Sequence, residues 1–421
     1  MTTVFPVGLS SKRYSAEFQE EAQYARQWQR VLAAAYGNGP ITCLCRAAVA
    51  GQRQLAIKLR QSTNLYSVAR YAHTGHEHNP ECRYYAEETS RSGRQGYAEG
   101  VLQEDDKGGW RLRLERGIDA RVREAPSPDE QPPDTVRAPG ARRPSMSLLG
   151  LLHFLFSEAR INVWAPKMEG KRSNSVVWRE VVKVAERTTI SRGVTLEEIL
   201  LRPAMRERPE AEINAKIIRA ARQHQRRLVV VGQLAKDKGE VTPAKLTLSR
   251  PFGSPHLWLP PAVWERAQRR FGSTVRSWHR GEPVVAIALL ELRTVRPGDT
   301  GPGAASIVDL ALMRVTERWI PIESSYERLV EQQLVATRRQ FVKPLRYDAD
   351  EFALFPDFWL TDVGKWLPME VFGMQTEDYI RRREEKRRWY LAEFGSHWWE
   401  WVPQHGTMAQ SVPDFPPKAA S

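Results

Sequence analysis

Pro356-Asp357-Phe358-Trp359-Leu360-Thr361-Asp362, followed by Trp366-Leu367-Pro368-Met369-Glu370-Val371-Phe372-Gly373, is the stretch on which the reading of this chain turns. Two short runs rich in aromatic and branched residues read as a β-hairpin, and its turn signal is Val363-Gly364. With those two residues as the loop, Asp357 lies directly opposite Glu370 on one face, with Cβ atoms about 4.5–5.5 Å apart. Two carboxylates so placed repel each other unless a cation sits between them, and a hard divalent ion, Mg²⁺ or Mn²⁺, is the natural occupant. A slip of one residue would put the two acids on opposite faces, so the turn decides the chemistry.

Working outward, Ser324 to Phe341 (SSYERLVEQQLVATRRQF) has helical spacing, with Glu327 and Glu331 one turn apart. FVKPLRYD adds a strand before the hairpin. TEDYIRRREEKRRWYLAEF follows as a second helix with Thr376 at its N-cap and acids in its first turn, and HWWEWV is a last strand. The order is αβββαβ. Tyr379, Arg383, Lys386 and Tyr390 recur at spacings of four, three and four, which is one stripe of the second helix.

This order resembles the PD-(D/E)XK nuclease superfamily, with Pro356-Asp357 as its first motif and Glu370 as its second acid. The resemblance implies a restriction-endonuclease-like domain over 321–405 that hydrolyses phosphodiester bonds with one bound Mg²⁺ or Mn²⁺. The superfamily usually carries lysine two residues after the second acid. Here that position is Phe372, an aromatic ring that cannot activate water. Some branches supply the lysine from the following helix, which makes Lys386 the candidate. Glu327 matches the acid that many members carry on the first helix, and Glu331 is its alternative. The implied catalytic set is Glu327, Asp357, Glu370 and Lys386, with Asp357 and Glu370 as the magnesium ligands.

Lys343, Arg346, Arg338 and Arg339 would track a phosphate backbone near such a site, and Trp359, Trp389, Trp398, Trp399 and Trp401 offer ring faces. Aromatic runs at strand and helix spacing are more often core than base platforms, so the tryptophans are weighed first as packing residues.

Far upstream, Cys43-x-Cys45 is followed by Thr74-Gly-His-Glu-His78-x-x-x-Cys82. Four ligands from two loops suit a closed tetrahedral zinc site, with three thiolates and one imidazole leaving no position for water, hence a structural role. Cys43, Cys45, His78 and Cys82 are the expected ligands, with His76 and His73 competing for the imidazole position. Three cysteines in one short region do not make a disulfide framework.

Residues 1–123 read as a small zinc-binding module, and the Pro-rich stretch 124–147 as a semi-extended linker. A mixed region follows over 148–320. SLLGLLHFLFSEA opens it as a buried helix capped by Ser147, and a second helix begins near Val176. The two resemble a helix-turn-helix, in which Lys171, Arg172, Arg179 and Lys183 would meet phosphates; a solvated helix face is the plainer reading. LVVVGQL, AKLTL, VVAIALLEL and SIVDLALMRV then supply strands, and 406–421 is a tail. The fold class is α+β or α/β, multidomain.

The 421 residues carry 63 Lys+Arg against 50 Asp+Glu, a formal charge of +13. Such an excess most often answers a polyanion, since cations on the protein release counterions condensed on phosphates. The most apolar run, Val284 to Leu292, is far short of the ~20 residues that cross a bilayer, and the first residues lack an apolar signal core. A cytoplasmic location and no membrane partner follow as expectations.

CLC, HTGHEH-x₃-C, KPLRYD, PDFWLTD, PMEVFGM and the Tyr379/Lys386/Tyr390 helix, taken as a set, resemble an uncharacterised domain-of-unknown-function family of conjugative and integrative elements. The expectation is a metal-dependent nuclease-like protein of a mobile element, acting on nucleic acid, DNA ahead of RNA, with a homodimer by analogy to single-metal nucleases. The alternative is an inactive nucleic-acid-binding accessory factor in which Phe372 marks a decayed site.

Overall fold

The computed structural model describes residues 3–9, 12–38, 41–47, 53–60, 65–70, 74–79, 81–85, 101–104, 108–120, 145–191, 193–205, 209–237, 239, 243–294, 302–345, 356–373, 377–403 and 412–419. Most of the 124–147 stretch, Arg346, Thr376 and residues 404–411 lie outside them. Among the described residues the chain is a mixed α+β structure with four sheets. No helix among them is long and apolar enough to cross a membrane.

In place of a two-residue turn, a six-residue loop, 361–366, joins the strands and has Val363-Gly364 at its centre, so the expected register is kept. Gly364 takes φ +81°, open to glycine without steric cost. The strands Phe358–Leu360 and Leu367–Val371 pair antiparallel, with Phe358 facing Met369, Trp359 facing Pro368 and Leu360 facing Leu367. One step further along this register, Asp357 stands opposite Glu370. The helix Ser325–Ala336 precedes the hairpin, the helix Glu377–Phe394 follows it, and Trp399–Trp401 returns parallel to Leu367–Val371. With Phe341–Val342 before the hairpin, the element order is helix, three strands, helix, strand.

The fifth strand of this sheet comes from far upstream: Val163–Trp164 pairs antiparallel with Phe341–Val342. Asn162 fixes the junction by accepting from the Lys343 N–H at 2.8 Å and donating to the Lys343 carbonyl at 2.7 Å. Trp110–Leu112, in the segment read as part of the N-terminal module, pairs parallel with Thr188–Ser191. Both pairings cross the divisions that composition suggests at 123 and 320.

The middle region packs around the long strands Val284–Leu292 and Ala304–Arg314, which are buried over most of their length. Ser147 caps the helix Leu148–Glu158 by accepting from the Gly150 N–H at 3.1 Å. AKLTL forms only isolated bridges, Lys245 to Trp258 and Leu248 to Leu234, in place of a strand. The N-terminal sheet runs Lys12–Tyr14, Val7–Leu9, Ile41–Cys43, Gln54–Arg60, Leu65–Arg70. Its loop 81–85 rests on the rest of the chain: Glu81 pairs with Lys167 at 2.6 Å, Arg160 covers the Tyr85 ring at 4.6 Å, and Tyr85 meets Trp366.

Candidate functional sites: a buried acid–lysine cluster and a cysteine–histidine cluster

Capping positions the first acid. Ser324 accepts from the Glu327 N–H at 3.0 Å, and the Glu327 carboxylate accepts from the Glu323 N–H at 3.0 Å, which fixes the start of the Ser325–Ala336 helix. The helix lies tight on the end of the hairpin. A Cβ on Gly373 would stand 2.5 Å from the Tyr326 ring, so only glycine admits the approach that brings Glu327 inward.

Lys343 joins Glu327 to the hairpin. Its ammonium lies 2.8 Å from the Glu327 carboxylate and 3.9 Å from Asp357. Asp357 accepts from the Val371 N–H at 2.7 Å. On the partner strand, Glu370 is met by Lys386 at both oxygens, at 2.9 and 3.1 Å, and accepts from the Tyr390 hydroxyl at 2.7 Å. Tyr390 is itself held by stacking on Trp398 at 5.1 Å. Three carboxylates and two ammoniums thus share one buried region, leaving one negative charge in excess.

Burial dominates the electrostatics. It pushes Glu327 up to about 7 against the favourable charge of Lys343, and it pushes Asp357 up to about 7 with the Glu370 charge adding to the effect. Glu370 is also raised by burial, although Lys386 and the Tyr390 hydroxyl oppose the shift. Burial would lower Lys343, but the charges of Glu327, Glu323 and Asp357 outweigh it and hold the ammonium protonated. Tyr379, on the same helix face as Lys386, is raised to about 12 by burial and the nearby acids.

Glu331, the alternative acid of the first helix, points elsewhere. It accepts from the Thr316 hydroxyl at 3.3 Å and faces Arg318 at 3.7 Å. Phe372 is buried, 2 % exposed, in the position where the superfamily resemblance would put lysine.

Lys343 is buried, 2 % exposed, and so meets Glu327 instead of a surface phosphate. Its sequence signal was available: on a strand, Lys343 shares a face with Phe341, a core residue, so a lysine there points inward. Arg172 is likewise taken up inside, donating to the carbonyls of Ile161, Arg318 and Val163. Lys171 and Arg179 are exposed, and Arg346 lies outside the described residues. Arg339 is bound bidentately by Asp362, at 2.9 and 3.0 Å. Trp359, Trp399 and Trp401 are buried in the sheet's core, whereas Trp389 is 36 % exposed.

The N-terminal module builds a second kind of site. Cys43 ends the strand Ile41–Cys43, Cys45 follows two residues on, and His78 closes the short helical turn Gly75–Glu77. Cys43 Sγ lies 3.6 Å from Cys82 Sγ, and His78 Nδ1 lies 3.6 Å from Cys45 Sγ and 3.7 Å from Cys82 Sγ. All four residues are buried, and their ligand atoms lie within 4.8 Å of one another. Zn–S and Zn–N bonds of about 2.3 and 2.0 Å give tetrahedron edges of about 3.5–3.8 Å, so the donor set fits one zinc ion. The Asn79 N–H donates to Cys45 Sγ and the Tyr84 N–H to Cys82 Sγ, the kind of support that favours thiolate. With no cation between them the thiols cannot ionise together: hydrogen bonding with Cys45 and Cys82 holds Cys43 above its ordinary range, while that with Cys43 and Cys82 holds Cys45 below it. The side chains of His76 and His73 lie outside the described residues.

The two clusters differ in convergence. Among the described residues, the cysteine–histidine set is the group whose donor atoms draw together as a metal ligand set; the three carboxylates do not. No curated protein and no solved structure matches the chain. A family model does, over residues 14–404, and spans both clusters and everything between them. The chain therefore belongs to the family described as Protein of unknown function (DUF1173).

Proposed function

We propose that the acid–lysine cluster is a hydrolytic site for phosphodiester bonds and that the protein is a metal-dependent nuclease of PD-(D/E)XK type serving a mobile element. The observation that carries the reading is the buried opposition of Asp357 and Glu370 with Lys386 held on Glu370 at 2.9 Å. The net negative charge of the cluster and its oxygen donors suit a hard divalent cation. Mg²⁺ or Mn²⁺ on Asp357 and Glu370 would polarise the scissile phosphate and lower the pKa of a bound water.

The chain's own groups do the rest. Lys386 positions the attacking water or places positive charge where negative charge develops on the phosphorus oxygens. Tyr390 holds Glu370 in its orientation, and Lys343 does the same for Glu327. The charge of +13 favours nucleic acid as substrate, DNA ahead of RNA. In the N-terminal module, zinc on Cys43, Cys45, His78 and Cys82 has a structural role, since four protein donors leave no open position.

Phe372 favours a second reading, a nucleic-acid-binding accessory factor without turnover. Cleavage of labelled single- and double-stranded DNA and RNA, with Mg²⁺, with Mn²⁺ and with chelator, separates the two. Metal-dependent cutting by the wild type that is lost in Asp357→Ala and in Lys386→Ala is the expected result. Binding without cutting by wild type and variants alike would replace the nuclease with the accessory factor.

A further inference from the structure

The middle region has no role in the cluster as described, yet it forms most of a cavity of about 480 Å³ that reaches it. Leu149 and His153, on the helix Leu148–Glu158, make one wall, and Arg270 and Thr274, on the helix Pro261–His279, make the other. Lys343 closes the cavity toward the C-terminal sheet, and the same Lys343 ammonium lies 2.8 Å from Glu327. The Glu323 side of the cavity touches the cluster too, through the hydrogen bond from its N–H to Glu327.

The second wall is bent. Phe271 leaves helical geometry at φ −120° and ψ 31°, immediately before Gly272-Ser273, the kind of pair at which helices kink. The bend lets one helix line the cavity on both sides of the break. Phe271, Leu312 and Ile322 give the cavity an apolar floor.

Its cations are not equivalent. Lys343 is neutralised by Glu327 and Arg314 by Glu282 at 2.8 Å. Arg270 is exposed, packs against the Phe271 ring at 5.4 Å, and forms no ion pair with a carboxylate among the described residues. An apolar floor, a rim cation and a size suited to a small molecule describe a place for one base and its phosphate.

We propose that this cavity holds one unpaired nucleoside of the strand being cut, next to the scissile phosphate, so that the protein acts on single strands or on bases drawn out of a duplex. This rests on reading the acid–lysine cluster as hydrolytic. A base held by pairing and stacking inside a duplex cannot turn into the half-open cavity between the two helices, so entry itself selects the unpaired strand.

The test uses the full chain. Fluorescence anisotropy with a labelled single strand and the matching duplex, in chelator, is compared for wild type, Thr274→Trp and Arg270→Ala; cleavage with Mg²⁺ is followed on the same substrates. Thr274→Trp, which fills the cavity, should weaken single-strand binding about tenfold, with duplex binding unmoved. Arg270→Ala should weaken it about threefold and flatten its salt dependence, and its exposed position makes it decisive if Thr274→Trp does not fold. Thymidine 5′-monophosphate should compete with the single strand on the wild type and fail to do so on Thr274→Trp.

Single-strand and duplex binding that are equal in the wild type and unchanged in both variants would overturn the inference. If metal-dependent cutting lost in Asp357→Ala accompanies that result, the hydrolytic reading stands and the cavity inference alone falls. If the variants lose single-strand binding but no protein cuts, the cavity assignment stands and the hydrolytic reading falls.

Discussion

The cysteine–histidine cluster and the acid–lysine cluster solve the same problem, burial of groups that carry charge, in opposite ways. In the first, three thiols and an imidazole face one another at 3.6–3.7 Å with no cationic side chain between them. In the second, each acid is given a partner from the chain: Lys343 for Glu327, a backbone N–H for Asp357, Lys386 and Tyr390 for Glu370. The first arrangement could hold a metal ion among its four donors. The second balances all but one of its formal charges within the chain, so under the proposed function a metal there would serve chemistry more than folding.

The difference makes metal removal the largest expected effect. A strong zinc chelator, or Cys43→Ser, should unfold the N-terminal module while the C-terminal sheet keeps its structure. Structural zinc contributes on the order of 10 kcal/mol. Hydrogen exchange measured on the Leu65–Arg70 and Leu367–Val371 strands reads the two regions separately. Loss of protection in both together would break the comparison, by showing that the contacts of Glu81, Arg160 and Tyr85 couple the regions into one cooperative unit.

Next comes the acid–lysine cluster itself. Lys343→Met leaves Glu327 buried without its ammonium and should cost about 3–5 kcal/mol in denaturant unfolding at pH 8. The cost should shrink at pH 6, where Glu327 takes a proton, because burial has already pushed that group up to about 7. A loss that is the same at both values would show that Lys343 supports the sheet through packing and not through charge.

Tyr390→Phe removes the hydrogen bond to Glu370 and should cost about 1–2 kcal/mol. The Tyr390 ring, stacked on Trp398, stays in place. Under the proposed function, cleavage should fall further than stability does, since a loosened Glu370 loses its orientation; equal losses would make Tyr390 a packing residue.

The smallest effect belongs to Glu331, which lies outside the cluster. Burial raises it to about 6, above its ordinary value of 4.5. Between those values the folded protein holds a proton that the unfolded chain has released, so this contribution is full at low pH and is lost as pH rises through 6. Glu331→Gln should flatten the pH dependence of stability between 4.5 and 7 by about 1–2 kcal/mol. An unchanged slope would move that dependence onto Glu327 and Asp357.

Several of these features were legible in the sequence. The hairpin register was, because the turn signal at Val363-Gly364 marks the centre of the connection, and Phe358 opposite Met369 follows from it although the loop is six residues long and not two. The convergence of Cys43, Cys45, His78 and Cys82 was also legible, because ligands two and four residues apart need only two short loops to meet. Lys386 was placed by helical spacing from Tyr379 and Tyr390. Lys343 and Arg172, basic residues that the sequence alone suggests for phosphates, lie inside the protein, bound to Glu327 and to backbone carbonyls. A basic residue looks the same in sequence whether it faces water or a buried acid.

By itself, then, the sequence determined what local geometry controls: the hairpin register, the stripe on the second helix, the capping of Leu148–Glu158 by Ser147 and the two cysteine–histidine loops. Tertiary structure alone decided that Val163–Trp164 would complete the C-terminal sheet, that Trp110–Leu112 would pair with Thr188–Ser191, and that Lys343 would stand between Glu327 and the cavity lined by His153 and Thr274. The reason is physical. Turns and helical repeats act over a few residues, through backbone dihedrals that each side chain constrains. Pairings across more than seventy residues are settled by which surfaces bury best together, and no short stretch of sequence carries that information.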